Sequence, residues 1–434
     1  MKSKIQNLML VQGLVVTAGM AAASDVVLDW NSTLLSSVSA TAMNPPMASR
    51  AMAMMHTAVY DAVNSVNPTH RGYYRVYDNP SGTSADAAAA KAAHDVMWHI
   101  FPSRRTQIEA ALADSLSAIP DGPGKAAGLA LGEQSAAGIL SLRSNDNSTL
   151  VVSYPSGNQV GHWRPTPPAN ANPLLPNWKY LRPFAMDSSS QLRPPAPPAV
   201  GSAEYTAAYD EVFRLGGIGS AERTAEQTDI ARMWAAGGGT VTPPGQWNQI
   251  ASQVALARGN SMQDNARLFA LLGIGLADAA VVSWDCKYTF NYWRPITGIR
   301  EGDNDGNPDT IGDVNFTSLI ATPPFPAYTS GHSTFSAVAA TILSDYFGGD
   351  AASFSVTSAG ITRGFTSFAD ASAEAGQSRI YGGIHWQFDN VAGLACGQEL
   401  GVLVNDRMLL VPAPGAGVLI AGAGLLILRR RRTG

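Results

Sequence analysis

The sequence predicts an all-α fold built from helical bundles. Alanine is abundant, runs of β-branched residues are short, and apolar residues recur at helical spacing over most of the 434 residues. Apolar residues make up 45% of the chain and charged residues 14%, so the chain can bury a sizeable core. The formal net charge is −4, and no basic stripe lies inside the chain. This charge distribution argues against a nucleic-acid partner.

The two ends of the chain are typical of targeting segments. Residues 1–23 have a basic start, an apolar centre and an alanine-rich exit, which predicts a secretory signal cleaved near Ala23. Residues 411–434 form an apolar, glycine-rich run that ends in a cluster of four arginines. This run is long enough to span a bilayer, with the arginines on the cytoplasmic side.

The C-terminal run resembles the bacterial PEP-CTERM sorting signal, which joins a proline-containing box, an apolar helix and an arginine cluster. The box here is Val-Pro-Ala-Pro, beginning at Val411. The resemblance implies an exported protein that is periplasmic, cell-surface or extracellular and contacts the membrane through this tail. A plain membrane anchor is the alternative interpretation.

Residues 24–200 are predicted to form an N-terminal helical region. A proline-rich loop at residues 153–198 interrupts it, and the presence of Trp163 and Trp178 indicates that this loop is ordered and packed across the rest of the protein. The predicted helices span 42–75, 84–118 and 124–143. We interpret His56 and Asp61 as structural or pocket-lining rather than catalytic. We interpret His162 and Arg164 as residues of loop packing, with substrate contact as the alternative.

Residues 201–410 are predicted to form the catalytic helical bundle. Its acidic loop at 301–309 is interpreted as a solvated turn, because Pro308 stands where a calcium-binding loop needs glycine. Cys286 and Cys396 are equally compatible with a disulfide and with buried free thiols. The predicted helices lie near 203–215, 222–236, 246–258, 261–292, 330–347, 350–371 and 385–407.

The first of three motifs is WDCKYTFNYWRP, which begins at Trp284. Lys287 and Arg294 are seven residues apart, which predicts that both leave the same face of one helix. Pro295 should then close that helix. Because aromatic residues surround the two cations in the sequence, we expect them to hold an anion rather than to lie on a solvated face.

The second motif is TSGH, in which Ser330 is expected to cap a helix and offer its hydroxyl. The N–H group of Gly331 can approach an oxyanion closely because no Cβ intervenes. His332 follows at once and is suited to proton transfer near neutral pH. The motif therefore predicts half of an oxyanion pocket.

The third motif is SRIYGGIHWQFDN, in which Arg379 supplies a forked donor for a tetrahedral oxyanion. The glycine pair is expected to turn the chain into a helix that begins near His385. Asp389 lies four residues further on and can hold one nitrogen of that histidine. The other nitrogen is then an electron-pair donor that can attack phosphorus or bind the central atom of an oxyanion. Together the three motifs predict a binding site for a phosphate-shaped trianion.

The combined pattern of Lys-x6-Arg-Pro, Ser-Gly-His and Ser-Arg-x5-His-x3-Asp resembles the superfamily that joins vanadium-dependent haloperoxidases with type 2 phosphatidic acid phosphatases. Thr329 stands where this superfamily usually has proline. The resemblance implies a helical-bundle fold, with His385 as the vanadium ligand or the phosphate nucleophile and His332 as the general acid/base. It also implies which residues hold the equatorial oxygens of vanadate or phosphate, namely Lys287, Arg294, Ser330, Gly331 and Arg379.

The surroundings of the motifs resemble vanadium chloroperoxidases in particular. Trp284 and Phe325 stand where those enzymes place pocket aromatics, whereas bromoperoxidases typically have histidine at the Phe325 position. Gly237, in the segment WAAGG, replaces an acidic residue of the chloroperoxidases, and we expect that loss to loosen an arginine of the site.

The resemblance implies an exported haloperoxidase with a vanadate cofactor. It would use hydrogen peroxide to oxidise halide to hypohalous acid, which then modifies a small organic acceptor, and Lys287 would activate the peroxide. The alternative is a phosphomonoesterase that acts on a phosphate ester through a phosphohistidine and uses no cofactor. A surface protein with a relict site is the third hypothesis. The sequence leaves the halide and the oligomeric state open.

Overall fold

The structure, a computed structural model, describes residues 25–155 and 157–408, and the structural statements below refer to these residues. The predicted signal segment and the predicted C-terminal tail lie outside this part of the chain. Within it, thirteen α-helices and one two-stranded sheet confirm the predicted all-α class.

The N-terminal region contains five helices. The segment predicted as one helix over 84–118 is in fact two helices, because Pro102 cannot continue the hydrogen-bond ladder and disfavours helix at Phe101. The first helix was not predicted; Asp25 caps it by accepting from the N–H groups of Val27 and Leu28. The helices are α1 (Val26–Ala40), α2 (Pro45–Val66), α3 (Ala85–Ile100), α4 (Arg105–Ser117) and α5 (Pro123–Leu142).

The C-terminal region contains the other eight helices. They are α6 (Ala203–Leu215), α7 (Ala225–Met233), α8 (Thr242–Arg258), α9 (Met262–Phe290), α10 (Pro295–Arg300), α11 (Gly331–Tyr346), α12 (Phe368–Tyr381) and α13 (Gln387–Arg407). The 29-residue α9 is the only described helix long and apolar enough to cross a membrane, but 94% of its most apolar window is buried inside the protein. It is packed between α2 and α11, which identifies it as the central helix of the core.

The predicted helix over 350–371 is wrong, because most of this segment forms an antiparallel hairpin. Strands β1 (Ala351–Ser358) and β2 (Ile361–Ser367) pair with Ser355 opposite Gly364, and α12 begins only afterwards. Apolar residues alternate with serine and threonine along β1, so the period is two rather than 3.6. The two-residue turn has a positive φ at both Ala359 and Gly360, as tight hairpins require.

The described part of the proline-rich loop at 153–198 is ordered and packed, as predicted. Trp163 and Trp178 are fully buried. The loop is attached to the central helix α9 by Asp278, whose carboxylate accepts hydrogen bonds of 2.6–2.8 Å from three consecutive loop N–H groups. Those donors belong to Phe184, Ala185 and Met186.

The structure also describes the acidic loop and the two cysteines that were considered in the sequence. The acidic loop at 301–309 is not a fully solvated turn, because Asp305 is buried and accepts from the N–H of Asn307 and the hydroxyl of Thr310. No group of three or more candidate metal ligands occurs in the described part of the chain. Cys286 and Cys396 are both buried free thiols.

Replacing Asp278 by alanine should lower the free energy of unfolding by about 3 kcal/mol or more, because three buried N–H groups lose their acceptor. Urea unfolding followed by circular dichroism measures the change. Asp187→Ala is the matched control, since that side chain is 77% exposed and its removal should cost less than about 0.5 kcal/mol. A loss below about 1 kcal/mol in Asp278→Ala would contradict the role assigned to this carboxylate.

Candidate active site

The three sequence motifs meet at the ends of five helices, α9 to α13. Lys287 lies in the last turn of α9, and Arg294 is the residue immediately before α10. The prediction that one helix carries both cations is wrong: Asn291 adopts a left-handed conformation that ends α9, and Pro295 begins a helix rather than closing one. The cations still converge, because Lys287 Nζ and Arg294 Cζ lie 5.2 and 4.9 Å from the centre of the Phe325 ring.

Neutral backbone carbonyls hold these cations. Lys287 Nζ donates to the carbonyl of Ala327 at 2.9 Å and to that of Thr329. Arg294 donates from Nε to the Phe325 carbonyl at 2.8 Å and from Nη1 to the Ile384 carbonyl at 2.7 Å. None of these acceptors carries a charge, so the hydrogen bonds orient the cations without neutralising them.

Arg379, in the last turn of α12, is held in the same way, by a 3.1 Å hydrogen bond from Nη1 to the carbonyl of Trp234. Lys287 and Arg294 are completely buried, and Arg379 is 2% exposed. Within the described residues, none of the three forms an ion pair with a carboxylate closer than 4 Å. Arg294 Nη2 and Arg379 Nε are buried without any hydrogen-bond partner in this part of the chain.

Burial dominates the electrostatics of the three cations. It lowers the pKa of Arg294 and of Arg379 to about 9, and it lowers the pKa of Lys287 well below its ordinary value. The positive charge of Arg294 further lowers the pKa of the other two. An anion bound among them would reverse these shifts, so the site is built to take up negative charge.

The N-terminus of α11 supplies further donors. Ser330 caps this helix, as predicted, because its hydroxyl accepts from the N–H of Ser333 at 3.3 Å. The N–H groups of Gly331 and His332 belong to the first turn and have no carbonyl within the helix to bind. A Cβ at Gly331 would lie 3.7 Å from the Trp284 ring, an ordinary contact. Packing inside the protein therefore does not require glycine at position 331. The absence of a side chain there instead leaves room for a ligand to approach the N–H group.

His385 is oriented by Asp389, as the four-residue spacing predicts. Nδ1 of His385 lies 2.8 Å from Asp389 Oδ2, which also accepts from the N–H of Trp386. Burial, reinforced by Arg294 and the other cations, lowers the pKa of His385 well below its ordinary value. The imidazole is therefore neutral, with its proton on Nδ1. Its Nε2 carries a free electron pair and accepts a hydrogen bond of 3.0 Å from Arg294 Nη1.

The turn before His385 needs glycine. His385 precedes α13 rather than beginning it, since the helix starts at Gln387. Gly383 has a φ of 74°, and a Cβ there would lie 2.2 Å from the carbonyl oxygen of Gly216. Only glycine fits such a position. The turn that orients His385 therefore depends on close packing of the backbone at Gly383 against the backbone at Gly216.

His332 follows Gly331 in the first turn of α11. Its Nε2 is 2.9 Å from the carbonyl oxygen of Trp234, which can only accept, so Nε2 carries the proton and Nδ1 does not. Burial, and then Arg379, lower the pKa of His332 well below its ordinary value. His332 is partly exposed whereas His385 is buried, so the site faces solvent on the His332 side.

An aromatic wall closes the site near Lys287. The rings of Trp284 and Phe325 are 4.9 Å apart, and Lys287 Nζ lies 5.8 Å from the Trp284 ring. Trp284 Nε1 donates to the carbonyl of Leu174, so the proline-rich loop supports this wall. These contacts hold the pocket aromatics and the lysine in one rigid unit.

The remaining polar residues considered in the sequence lie outside the site. Arg164 pairs with Glu301, and His162 forms a bridge with the backbone of Tyr292. His56 Nε2 is 3.0 Å from the side-chain oxygen of Asn31. Asp61 accepts from the three N–H groups of residues 73–75. All four residues have packing contacts, in line with their structural interpretation.

Sequence reasoning missed two contributors. Ser283, four residues before Lys287 on α9, is fully buried, and its hydroxyl has no partner among the described residues. The helical spacing from Lys287 could have revealed it. The carbonyl of Trp234 accepts from both His332 and Arg379, and no side-chain pattern signals a backbone acceptor.

The assembled donors fit a tetrahedral oxyanion such as vanadate or phosphate. Two buried guanidinium nitrogens without partners, a helix N-terminus and an unprotonated histidine nitrogen all belong to one site. A metal cation without oxyanion ligands would meet three positive side chains there and would be repelled. The chemistry the arrangement supports is attack by, or coordination through, His385 Nε2 on the central atom of such an anion.

The chain is similar in sequence and fold to vanadium-dependent haloperoxidases. The family model described as the VCPO second helical-bundle domain matches residues 267–411. The vanadium chloroperoxidase of Curvularia inaequalis is 27% identical over 378 residues, which cover 70% of this chain. The chain spans 62% of the length of that curated relative.

Two solved structures are similar in fold. A structure described as the first bacterial vanadium-dependent iodoperoxidase has a TM-score of 0.79 and 28% identity, and the match covers 89% of this chain and 97% of that one. The holo form of a bacterial vanadium-dependent chloroperoxidase has a TM-score of 0.70 at 15% identity, covering 90% and 98% of the two chains. The second likeness concerns the fold alone.

The affinity of the protein for tungstate, an oxyanion of fixed charge, should fall as pH rises through about 9. The pKa values of Arg294 and Arg379 lie near 9 without an anion and are higher in the complex, so binding takes up protons there. Each linked proton weakens binding by up to about tenfold per pH unit above that value. Isothermal calorimetry between pH 7 and 10 measures the slope, with Arg294→Ala as the non-binding control. An affinity that stays flat or rises with pH would contradict this electrostatic account.

Proposed function

Because the chain belongs to the superfamily of vanadium-dependent haloperoxidases, we propose that it is an exported enzyme that oxidises halide with hydrogen peroxide, using vanadate bound at His385. One observation carries the proposal. Three buried cations without carboxylate partners surround an oriented histidine whose Nε2 is unprotonated. Such a site is complementary to an oxyanion that also accepts a nitrogen ligand.

Side chains and backbone N–H groups would hold vanadate in different ways. The cationic side chains would neutralise its charge, and the first-turn N–H groups of α11 would donate to its oxygens. The chemistry that vanadate would supply is Lewis acidity toward peroxide. The residues that would hold it are Lys287, Arg294, Ser330, Gly331, Arg379 and His385.

His332 is the proposed acid/base. Its Nε2–H donates to the Trp234 carbonyl, so Nδ1 is the atom free to take and return the proton of the incoming peroxide. The lowered pKa of His332 keeps this nitrogen unprotonated before peroxide arrives. The site itself therefore provides a base next to the oxyanion donors.

Trp284 and Phe325 are proposed to limit what reaches the site. Their tilted rings cover Lys287 and exclude water from it. Lys287, held at two carbonyls in this apolar setting, would polarise a peroxide oxygen that enters the site. Two relatives above 25% identity carry the names of a chloroperoxidase and an iodoperoxidase, so the proposal covers halide oxidation without selecting a halide.

Halogenation of a phenol-type dye by the purified protein with hydrogen peroxide should appear only after loading with vanadate. His385→Ala should abolish it, because the nitrogen ligand is lost. Asp389→Asn should lower it by about 10- to 100-fold, since the partner that orients His385 is weakened. Chloride, bromide and iodide are compared in parallel.

Absence of halogenation with every halide, together with vanadate-inhibited release of phosphate from a simple ester, would replace the proposal by the phosphomonoesterase alternative. A protein that bound neither vanadate nor phosphate would support the relict site instead.

Export is proposed from the sequence of the two ends alone. Expression of the full chain in a bacterial host should yield a mature protein whose N-terminus lies close to Ala23, outside the cytoplasm. N-terminal sequencing of the fractionated protein checks this. An intact Met1 in the cytoplasmic fraction would show that the segment is not a signal.

A further inference from the structure

Two functional side chains share one backbone acceptor. The carbonyl of Trp234 accepts from His332 Nε2 at 2.9 Å and from Arg379 Nη1 at 3.1 Å. Neither side chain has a carboxylate within ion-pair distance among the described residues. The orientation of both the proposed acid/base and an oxyanion donor therefore depends on where this carbonyl lies.

The backbone around this carbonyl is not rigid by itself. Trp234 follows the last residue of α7, so its carbonyl is outside the regular helix. The next residues are two alanines and three glycines; Ala236 and Gly239 have positive φ values. The N–H of Trp234 still donates to the carbonyl of Ile230, which holds the backbone before this carbonyl. The segment after it has high conformational freedom by composition, so a second contact is needed to fix the carbonyl.

The contact that fixes it is made by the Trp234 side chain. The indole is 1% exposed, and its Nε1 donates to Glu374 Oε1 at 3.0 Å. Glu374 is itself held by Arg363 through hydrogen bonds of 2.7–3.0 Å from Nε and Nη2. Its side chain is only 15% exposed, so solvent competes weakly for these bonds.

One helix, α12, contacts both the side chain and the backbone carbonyl of Trp234. Glu374 and Arg379 both belong to α12, so this helix anchors the indole of Trp234 and also donates to the carbonyl of the same residue. A shift of Trp234 relative to α12 would break both contacts together. It would also release His332, which belongs to α11.

We propose that Glu374 is a positioning residue for the oxyanion site: by holding the indole of Trp234, it fixes the carbonyl that orients His332 and Arg379. This inference rests on the proposed function. Glu374 does not touch the oxyanion and acts only through Trp234.

The test measures tungstate affinity of the vanadate-free full chain by calorimetry. Glu374→Ala and Trp234→Phe should each weaken binding about tenfold, because Arg379 loses its fixed orientation. Glu374→Gln, which keeps an oxygen acceptor for the indole, should retain most of the affinity. The double variant should be no weaker than either single variant, because both remove the same contact.

Glu226→Ala is the matched control. Glu226 also pairs with Arg363, but it is 68% exposed and does not contact Trp234. Its removal should leave tungstate affinity within about twofold of the wild type. If Glu374→Ala fails to fold, Trp234→Phe carries the test.

Steady-state kinetics of the vanadate-loaded enzyme give the second readout. In Trp234→Phe and Glu374→Ala, kcat should fall about tenfold while KM for halide changes little, because a misaligned His332 affects proton transfer rather than halide entry. Wild-type tungstate affinity in both variants, additive effects in the double variant, or an equal loss in Glu226→Ala would overturn the inference. If the wild type binds tungstate but never halogenates, the proposed function fails while the positioning role is still decided by affinity.

Discussion

The site depends on buried positive charge that the protein orients but does not neutralise. Lys287, Arg294 and Arg379 are removed from water, and the partners that hold them are backbone carbonyls. Burying charges in this way is costly unless an opposite charge arrives. The nearby carboxylate of Asp389 is engaged with His385 and the N–H of Trp386. An oxyanion would supply the opposite charge, and the energetic cost of the unpaired cations would then favour its binding.

The same constraint explains why the site lies where helices end. A carbonyl inside a helix is already bonded within that helix, so it is a poor partner for a side chain. The acceptors used here all come from residues outside regular helices, in the turns before α11 and α13 and at the end of α7. They are the carbonyls of Phe325, Ala327, Thr329, Ile384 and Trp234. The bundle thus serves as a rigid frame that brings helix ends together.

The proline-rich loop extends this frame to the aromatic wall. The carbonyl of Leu174 accepts from both Trp284 and Tyr288, and the N–H of the same residue donates to the carbonyl of Pro324, next to Phe325. Asp278 attaches the far part of the loop to the central helix. A segment without regular structure therefore holds the ring pair that screens Lys287, and this links the stability of the loop to the environment of the site.

The sequence by itself determined what short-range geometry controls. Helical spacing and composition gave the all-α class, the capping serine at Ser330 follows from its place before a helix, and the spacing of His385 and Asp389 sets their contact. It failed where a single residue changes the local course of the chain. Asn291 ends α9 before Arg294, and a tight turn at Gly360 makes a hairpin of a predicted helix.

Only the tertiary structure decided how the cations are held and how His332 is oriented. Those contacts join segments far apart in sequence, and their acceptors are backbone carbonyls, which every residue type possesses. Trp234 illustrates the limit, because nothing in its side chain indicates that its carbonyl orients His332 and Arg379. The sequence identifies the side chains that carry charge and protons. The backbone carbonyl oxygens that orient these side chains are determined by tertiary packing alone.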